Sequence, residues 1–376
     1  MTVANTAALS PQRIMEVGTG FWPSKVLLSA IKLGVFTELG KGEKTGAELR
    51  DVLGLHQRSD PDFFDTLVAL KFLERDGNGA EAKYRNTAET GTFLDRNSPG
   101  FIGGFLEMAN DRLYAYWGDL IEGLKTGKPQ NEIKHNGAPM FAELYSKPER
   151  LEQFMDAMAG ISAGNFQAFA EKFDLSSYNT LCDVGGAAAT LSTIVARRHP
   201  HLKIISADLP EATAIAGKKI AAAGLSDRIS AVNVDFFKDD LPKADVITMG
   251  MILHDWNLEN KKLLVRKAYE ALPEGGAFVV IENIIDDERR ENAFGLMMSL
   301  NMLIEFGEAF DFTGADFDSW CREAGFKSTE VIHLAGPASA GVAYKWDVKR
   351  TVHLNPRRGC RGGQGSDRQD QGPGET

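Results

Sequence analysis

The sequence predicts an α/β chain in which a mainly helical N-terminal domain precedes a doubly wound, mostly parallel sheet. Three observations carry this. From position 181 onward short apolar runs alternate with helical segments, the rhythm of parallel strands joined by crossover helices. Before that point apolar residues recur at helical spacing, interrupted by one short alternating segment, "AKYRNT". At the change of rhythm stands "LCDVGGAAAT", an apolar run that ends in an acid and turns on two glycines.

The elements follow in order. "FWPSKVLLSAIKLGVFTEL" places Val26, Leu27, Ala30, Ile31 and Leu33 at helical spacing. "TGAELRDVLGL" predicts a helix capped by Thr45 and stopped by Gly54. "DPDFFDTLVALKFLERDG" reads as a third helix that ends at Asp76-Gly77. "AKYRNT" then resembles a wing and belongs to a small two-stranded piece, so residues 1–102 are expected to be winged-helix-like. Residues 103–173 are helical apart from "TGKPQNEIKHNGAP", a break by its Gly, Pro and Asn content, and are expected to link two domains. Residues 174–345 hold the strands "TLCDV", "LKIISAD", "ISAVNVD", "ADVITMG" and "AFVVIEN". "STEVIHLAG" and "AGVAYK" follow closely enough for an antiparallel edge hairpin. Residues 346–376 lose all periodicity and are expected to be a disordered tail.

The chain has 376 residues, 43% hydrophobic and 25% charged, enough for two cores. Lys and Arg total 42 against 52 Asp and Glu, a net charge of −10, which argues against nucleic acid as a partner. The would-be recognition helix "PDFFDTLVALKFL" opens on acids and is otherwise apolar. It lacks the cations that phosphate contacts need and suits burial, such as against another subunit. Three cysteines, Cys182, Cys321 and Cys360, are odd in number and scattered, so no disulfide framework and no zinc cluster is expected. "HPH" at 199–201 reads as a loop after a helix, and no metal is expected. The N-terminus lacks a basic region followed by an apolar stretch, and no apolar run nears the roughly 18 residues of a membrane helix. A soluble cytoplasmic protein without a membrane partner is expected.

Ligands of open parallel sheets bind at the carboxyl ends of the strands. Asp183, Gly185 and Gly186 end the first strand. Asp208 ends the second, 22 residues after Gly186, the spacing at which a carboxylate reaches a ribose diol. A dinucleotide fingerprint is missing: the glycines are adjacent, and Ala189 stands where another is required. A nucleoside without a pyrophosphate tolerates alanine better, which favours S-adenosyl-L-methionine over NAD. In "VDFFKDDLP", Asp235 could accept from an adenine amino group and Phe236 could stack on the ring; a core Phe beside a helix cap would look the same.

The fourth strand runs into "MILHDWNLENKKLLVRKAYEALPEGGAFVVIEN". With "LHDW", "LPEGG", a strand ending in an acid, and "DVGG", "ISADLP" and "VDFF" in order, the chain resembles the class I S-adenosylmethionine-dependent O-methyltransferases of the hydroxyindole and caffeic-acid type, over roughly residues 21–345. The resemblance implies a Rossmann-like methyltransferase domain with a seven-stranded sheet. It also implies a homodimer through the N-terminal domain, with Phe21 and Trp22 near the partner's pocket, and a small aromatic acceptor methylated on a hydroxyl. It makes His254 the general base, suited to take a phenolic proton. Glu282 and Asp311 become the acids that orient it, with Glu305 and Glu308 as rivals to Asp311. Leu209 and Met249 fall with the cofactor. So do Met158 and Ser162, four apart in "FMDAMAGIS", although plain helix packing explains them equally. Met298 and Met302, beside Met297 in "FGLMMSLNMLIEF", line the acceptor pocket with Trp256; a core helix would carry the same methionines.

Two departures stand out. Ala187 and Ala189 replace glycines of the family's turn and disfavour positive φ. Gly250 stands where the family often has lysine. Alternative readings are transfer to nitrogen, sulfur or carbon, or a relic that binds cofactor without catalysis.

Overall fold

A computed structural model describes residues 9–135, 144–145 and 147–346. The tail expected over 346–376, with Cys360, lies outside the described residues except for Trp346, as does the end of the break "TGKPQNEIKHNGAP".

The first apolar run makes two helices. Phe21–Leu33 stops at Gly34, whose φ of 81° is left-handed, and Val35–Gly40 starts from it. Strand β1 (Lys44–Thr45) leads into helix Gly46–Leu53, which opens on a Thr45–Glu48 capping box and closes on left-handed Gly54, as expected. The third helix covers only Asp62–Ala69 and ends well before Gly77. Lys71 takes a φ of 67°, its N–H donates to the Val68 carbonyl at 3.0 Å, and the Phe72 N–H donates to the Leu67 carbonyl at 2.9 Å. This ending is usually built on glycine, so a lysine conceals it from sequence.

The chain then forms β2 (Leu73–Asp76) and β3 (Lys83–Asn86), antiparallel, with β1 on the other edge of β3. The expected two-stranded piece therefore has three strands; two residues are too few to show a period. Phe64 and Leu67 are fully buried with Ile31, Phe36 and Leu49. That helix spends its apolar face on its own core.

The seven expected strands are β4 (Thr180–Val184), β5 (Lys203–Asp208), β6 (Ile229–Asn233), β7 (Val246–Gly250), β8 (Ala277–Glu282), β9 (Ser328–Ala335) and β10 (Ala338–Tyr344). Their order is β6-β5-β4-β7-β8-β10-β9, parallel through β8, with β10 antiparallel to both neighbours. Strand order reverses between β4 and β7, so the loops leaving those strands diverge and open a cleft.

Both sheet faces are covered, which explains the continuous apolar runs. In β8, Val279 and Ile281 face a core shared with Phe169, Leu191 and Val195. Phe278 and Val280 face the other, with Leu264, Phe317 and Trp320. Full burial of each such side chain contributes about 1.5–3 kcal/mol. Alternation puts Glu282 on the second face, toward the loop that leaves β7. Helix Pro148–Lys172 packs on helices Gly103–Met108 and Thr190–Arg198, and the Lys172 ammonium donates to the His333 and Leu334 carbonyls at 2.9 and 2.7 Å. Cys182 and Cys321 are buried and unpaired. Among the described residues no helix is long and apolar enough to cross a membrane.

Candidate active site

The turn after β4 keeps its left-handed path despite the alanines. Gly185, Ala187 and Ala189 have φ of 72°, 45° and 58°. Gly185 and Gly186 are needed for space. A Cβ on Gly185 would lie 2.4 Å from the Ile252 side chain, and one on Gly186 would lie 2.4 Å from Ser206 Oγ. A left-handed L-residue costs roughly 1–2 kcal/mol. Ala187→Gly is therefore expected to stabilise the chain by about 1 kcal/mol, read as a higher Tm; an unchanged or lower Tm would show that the turn carries no strain. Ala189 is fully buried, so there the lost methyl contact offsets the gain.

Asp183 is 3% exposed and accepts from Ser192 Oγ at 2.9 Å and Thr248 Oγ1 at 3.1 Å, which ties β4 to β7 and to the following helix. Burial pushes its carboxyl up to about 6, against those two hydrogen bonds. Asp208 crowns β5. Its oxygens accept from the Ala187 and Leu209 N–H groups at 2.8 and 2.7 Å and from the Tyr145 hydroxyl, and burial raises its pKa. Sequence reasoning missed Tyr145, which falls in the segment read as a linker.

Asp235 lies just beyond β6 and accepts from the Lys238 ammonium at 2.7 Å and the Phe237 N–H at 3.1 Å. Phe236, Phe237 and Trp256 meet edge to face, with centroids 4.6–6.0 Å apart. Trp256 thus stands with these aromatics, next to the 3-10 turn on which helix Ala293–Phe306 packs. An acid at the β5 end, an aromatic group beyond β6 and a turn with room for no Cβ at Gly185 and Gly186 together fit a nucleoside.

His254 sits in the 3-10 turn Leu253–Asp255 after β7, 5% exposed. Glu282 holds this turn: Oε1 accepts from the N–H groups of Ile252, Leu253 and His254 at 3.1, 2.9 and 3.4 Å. The His254 Nδ1 faces Asp311 Oδ1 at 3.6 Å and Glu282 Oε2 at 3.9 Å, while Nε2 faces Asp255 Oδ1 at 3.3 Å. Nδ1, Glu282 Oε2 and both Asp311 oxygens have no hydrogen-bond partner among the described residues. Of the rival acids, Glu305 is paired with Arg112 at 3.1 Å and Glu308 accepts from Asn257 at 3.2 Å, so Asp311 is the one that meets His254. Asp255 was not singled out from sequence, although it lies inside "LHDW".

Burial alone would lower the proton affinity of His254. Glu282, Asp255 and Asp311 together outweigh it and push the imidazole up to about 10. Burial in turn raises Glu282 to about 7 and Asp255 to about 6. His254, Glu282 and Asp255 share protons as a unit.

The remaining residues fall as follows. Met158 and Ser162 are half-buried on one face of helix Pro148–Lys172. One turn on, the Phe166 ring abuts Gly250, where a Cβ would come within 3.0 Å. Phe166 thus fills the place a longer side chain at 250 would take. The Met249 side chain is 0% exposed, in the core cluster against which Phe236, Phe237, Ile252 and Trp256 also pack. Met298 is half-buried, Met302 is buried and Met297 is exposed, on a helix that packs against the His254 turn.

The chain matches the model of an O-methyltransferase domain over residues 117–327 and that of an O-methyltransferase dimerisation domain over residues 15–96. It is 35% identical over 341 residues to the tetracenomycin polyketide synthesis 8-O-methyl transferase TcmO of Streptomyces glaucescens, covering 91% of this chain and 98% of that one. The 3-hydroxy-5-methyl-1-naphthoate 3-O-methyltransferase of Streptomyces sahachiroi is 32% identical over 335 residues, 88% and 94% of the two chains. Among solved structures, human N-acetylserotonin methyltransferase in complex with S-adenosylmethionine has a TM-score of 0.83 at 28% identity, covering 91% of this chain and 99% of that one.

Proposed function

The chain belongs to the S-adenosylmethionine-dependent O-methyltransferase family, and from that premise we propose that it methylates a phenolic hydroxyl of a small aromatic molecule with His254 as the base. The observation that carries this reading is the buried His254, ringed by carboxylates at the end of β7 and linked through Ile252 to the Gly185 turn. When bound, S-adenosylmethionine supplies a methyl group on a sulfonium that departs as a neutral thioether. The chain's task is then to orient the acceptor and remove its proton. Asp311 and Glu282 favour the proton on Nδ1, which leaves the Nε2 lone pair for the acceptor hydroxyl. Asp208 and Tyr145 are assigned to the ribose, with Phe236, Phe237 and Asp235 at the adenine end. Asp183, Gly185, Gly186 and Leu209 shape the turn beneath them, and Met158 and Ser162 border it. Met298 and Met302 are assigned to the acceptor side.

Calorimetric titration with S-adenosylhomocysteine, then a screen of hydroxynaphthoates and other phenols, tests the reading. Micromolar binding and methyl ether products are expected, unchanged by EDTA. Absence of binding at millimolar ligand would leave only a relic of the fold, and loss of turnover on chelation would put a metal at the cluster.

The division into residues 1–102, 103–173 and 174–345 belongs to this proposal, as does a cytoplasmic location. The N-terminal helices with their three-stranded sheet support the winged-helix-like reading. A homodimer is supported by exposed Met15, Val17, Phe21 and Trp22 on the dimerisation domain; Phe21 and Trp22 border a groove with Lys25, Phe63 and Tyr114. Phe21→Asp with Trp22→Asp is expected to give a folded monomer by light scattering, and a dimer of unchanged affinity would place the interface elsewhere.

A further inference from the structure

Four polar atoms of the base cluster converge without partners. His254 Nδ1, Glu282 Oε2 and both Asp311 side-chain oxygens make no hydrogen bond among the described residues, and the three residues are 5%, 1% and 2% exposed. Nδ1 lies 3.6 Å from Asp311 Oδ1 and 3.9 Å from Glu282 Oε2, too far for hydrogen bonds. One such atom from each residue lies within 4.8 Å of the other two. Those separations are near the ones a small cation sets. Ligand atoms about 2.0–2.2 Å from a tetrahedral zinc ion stand roughly 3.3–3.6 Å from one another.

We propose that this cluster is a binding site for zinc, with His254 Nδ1, Glu282 Oε2 and an Asp311 oxygen as ligands, and that the bound ion switches the base off. Zinc is here an inhibitor and not a cofactor. The inhibition rests on the reading of His254 as the base; the site rests on the cluster alone. Glu282 Oε1 is taken by three N–H groups of the turn, which fixes the carboxylate and leaves Oε2 over. Asp311 is held through its backbone, its N–H donating to Ser299 Oγ at 3.1 Å, so its carboxylate is available. Two carboxylates, a neutral imidazole and a dication sum to zero, and a buried charge is tolerated where it is paired or holds a metal. One nitrogen and two or three oxygens suit zinc, whereas calcium and magnesium ask for about six oxygens or more.

The loss of the base follows from proton count. A neutral imidazole carries one proton. With zinc on Nδ1 that proton must sit on Nε2, facing Asp255 Oδ1 at 3.3 Å. The Nε2 lone pair that would take the acceptor's proton is then gone. Starting from the imidazolium, zinc replaces the Nδ1 proton, which leaves to solvent. Nothing is oxidised or reduced, so chelation of the ion restores the enzyme.

The test is titration of the metal-free protein with zinc by calorimetry and with cobalt(II) by visible absorption, for wild type, His254→Ala and Asp311→Asn. Wild type is expected to bind one equivalent of either ion with micromolar affinity or tighter. Cobalt should show the strong visible bands of tetrahedral coordination and no sulfur-to-cobalt band in the near ultraviolet. Each variant should lose that equivalent. Wild-type turnover of a phenol should fall by about 10²–10⁴ at one equivalent of zinc, the loss expected when a base is removed, and return with EDTA. S-adenosylhomocysteine affinity should not move. No binding, a cobalt–sulfur band, or binding that survives both substitutions overturns the proposal. If Asp311→Asn does not fold, His254→Ala and the wild-type cobalt spectrum decide. Zinc bound at the cluster with turnover intact would instead overturn the base reading and the inhibition, while the site stands.

Discussion

His254→Ala is expected to lose between about 10² and 10⁴ in kcat/KM toward a phenolic acceptor, with S-adenosylhomocysteine affinity unchanged. A phenol is a weak nucleophile until its proton leaves, and His254 is the buried imidazole at the switch point of the sheet, proposed above as the base. Its elevated pKa also sets a sign. The imidazolium is the resting form at neutral pH, and only the neutral ring accepts a proton, so wild-type kcat/KM rises from neutral toward alkaline pH. The alanine variant should lose that rise. Asp255 remains nearby and accounts for residual turnover. Activity within a fewfold of wild type would mean that the acceptor needs no base, as a thioether sulfur does not.

Glu282→Gln is expected to cost about 10²–10⁴ in kcat while leaving the fold and cofactor affinity in place. Three backbone N–H groups converge on Oε1, so the glutamine must put its carbonyl oxygen there. Its amide nitrogen then takes the Oε2 position facing His254 Nδ1. A donor at that point asks Nδ1 to accept and moves the ring proton to Nε2, where the base must be empty. Asp311 opposes the flip from 3.6 Å. Glu282→Ala differs in kind: it strips the acceptor from three N–H groups and costs about 1–3 kcal/mol for each one left buried and unpaired. Near-UV circular dichroism with single-turnover rates separates the two effects. A Glu282→Gln enzyme of wild-type rate would mean that Glu282 only caps the turn.

Much of this was legible because it is local. Alternating apolar runs and helices predicted the sheet, since strand and helix periods differ and each run was long enough to show its own. The turn at Gly185-Gly186, the acid at 208 and "LHDW" were readable because each lies at the end of a strand, where an open parallel sheet binds its ligands. What failed was local conformation without its usual residue. Lys71 ends a helix in a glycine's conformation, and two residues suffice for β1 once β3 supplies a partner. Ala187 and Ala189 adopt the φ values that their type disfavours, because the hydrogen bonds to Ala207 and Asp208 require the turn.

The sequence by itself determined the class of fold, the nucleoside-shaped turn and the candidate for the base, all properties of short segments. Only the tertiary structure decided the base's environment. Strand order brings β7 beside β8, and the 311–313 segment lies along residue 285, so Asp311 rather than Glu305 or Glu308 meets His254. The same packing sets Phe166 against Gly250, buries Met249 and lays the Lys261 ammonium over the Phe310 ring. A side chain's partners depend on distances between elements far apart in the chain, and the energies of charge and burial that act across those distances leave no period in the sequence.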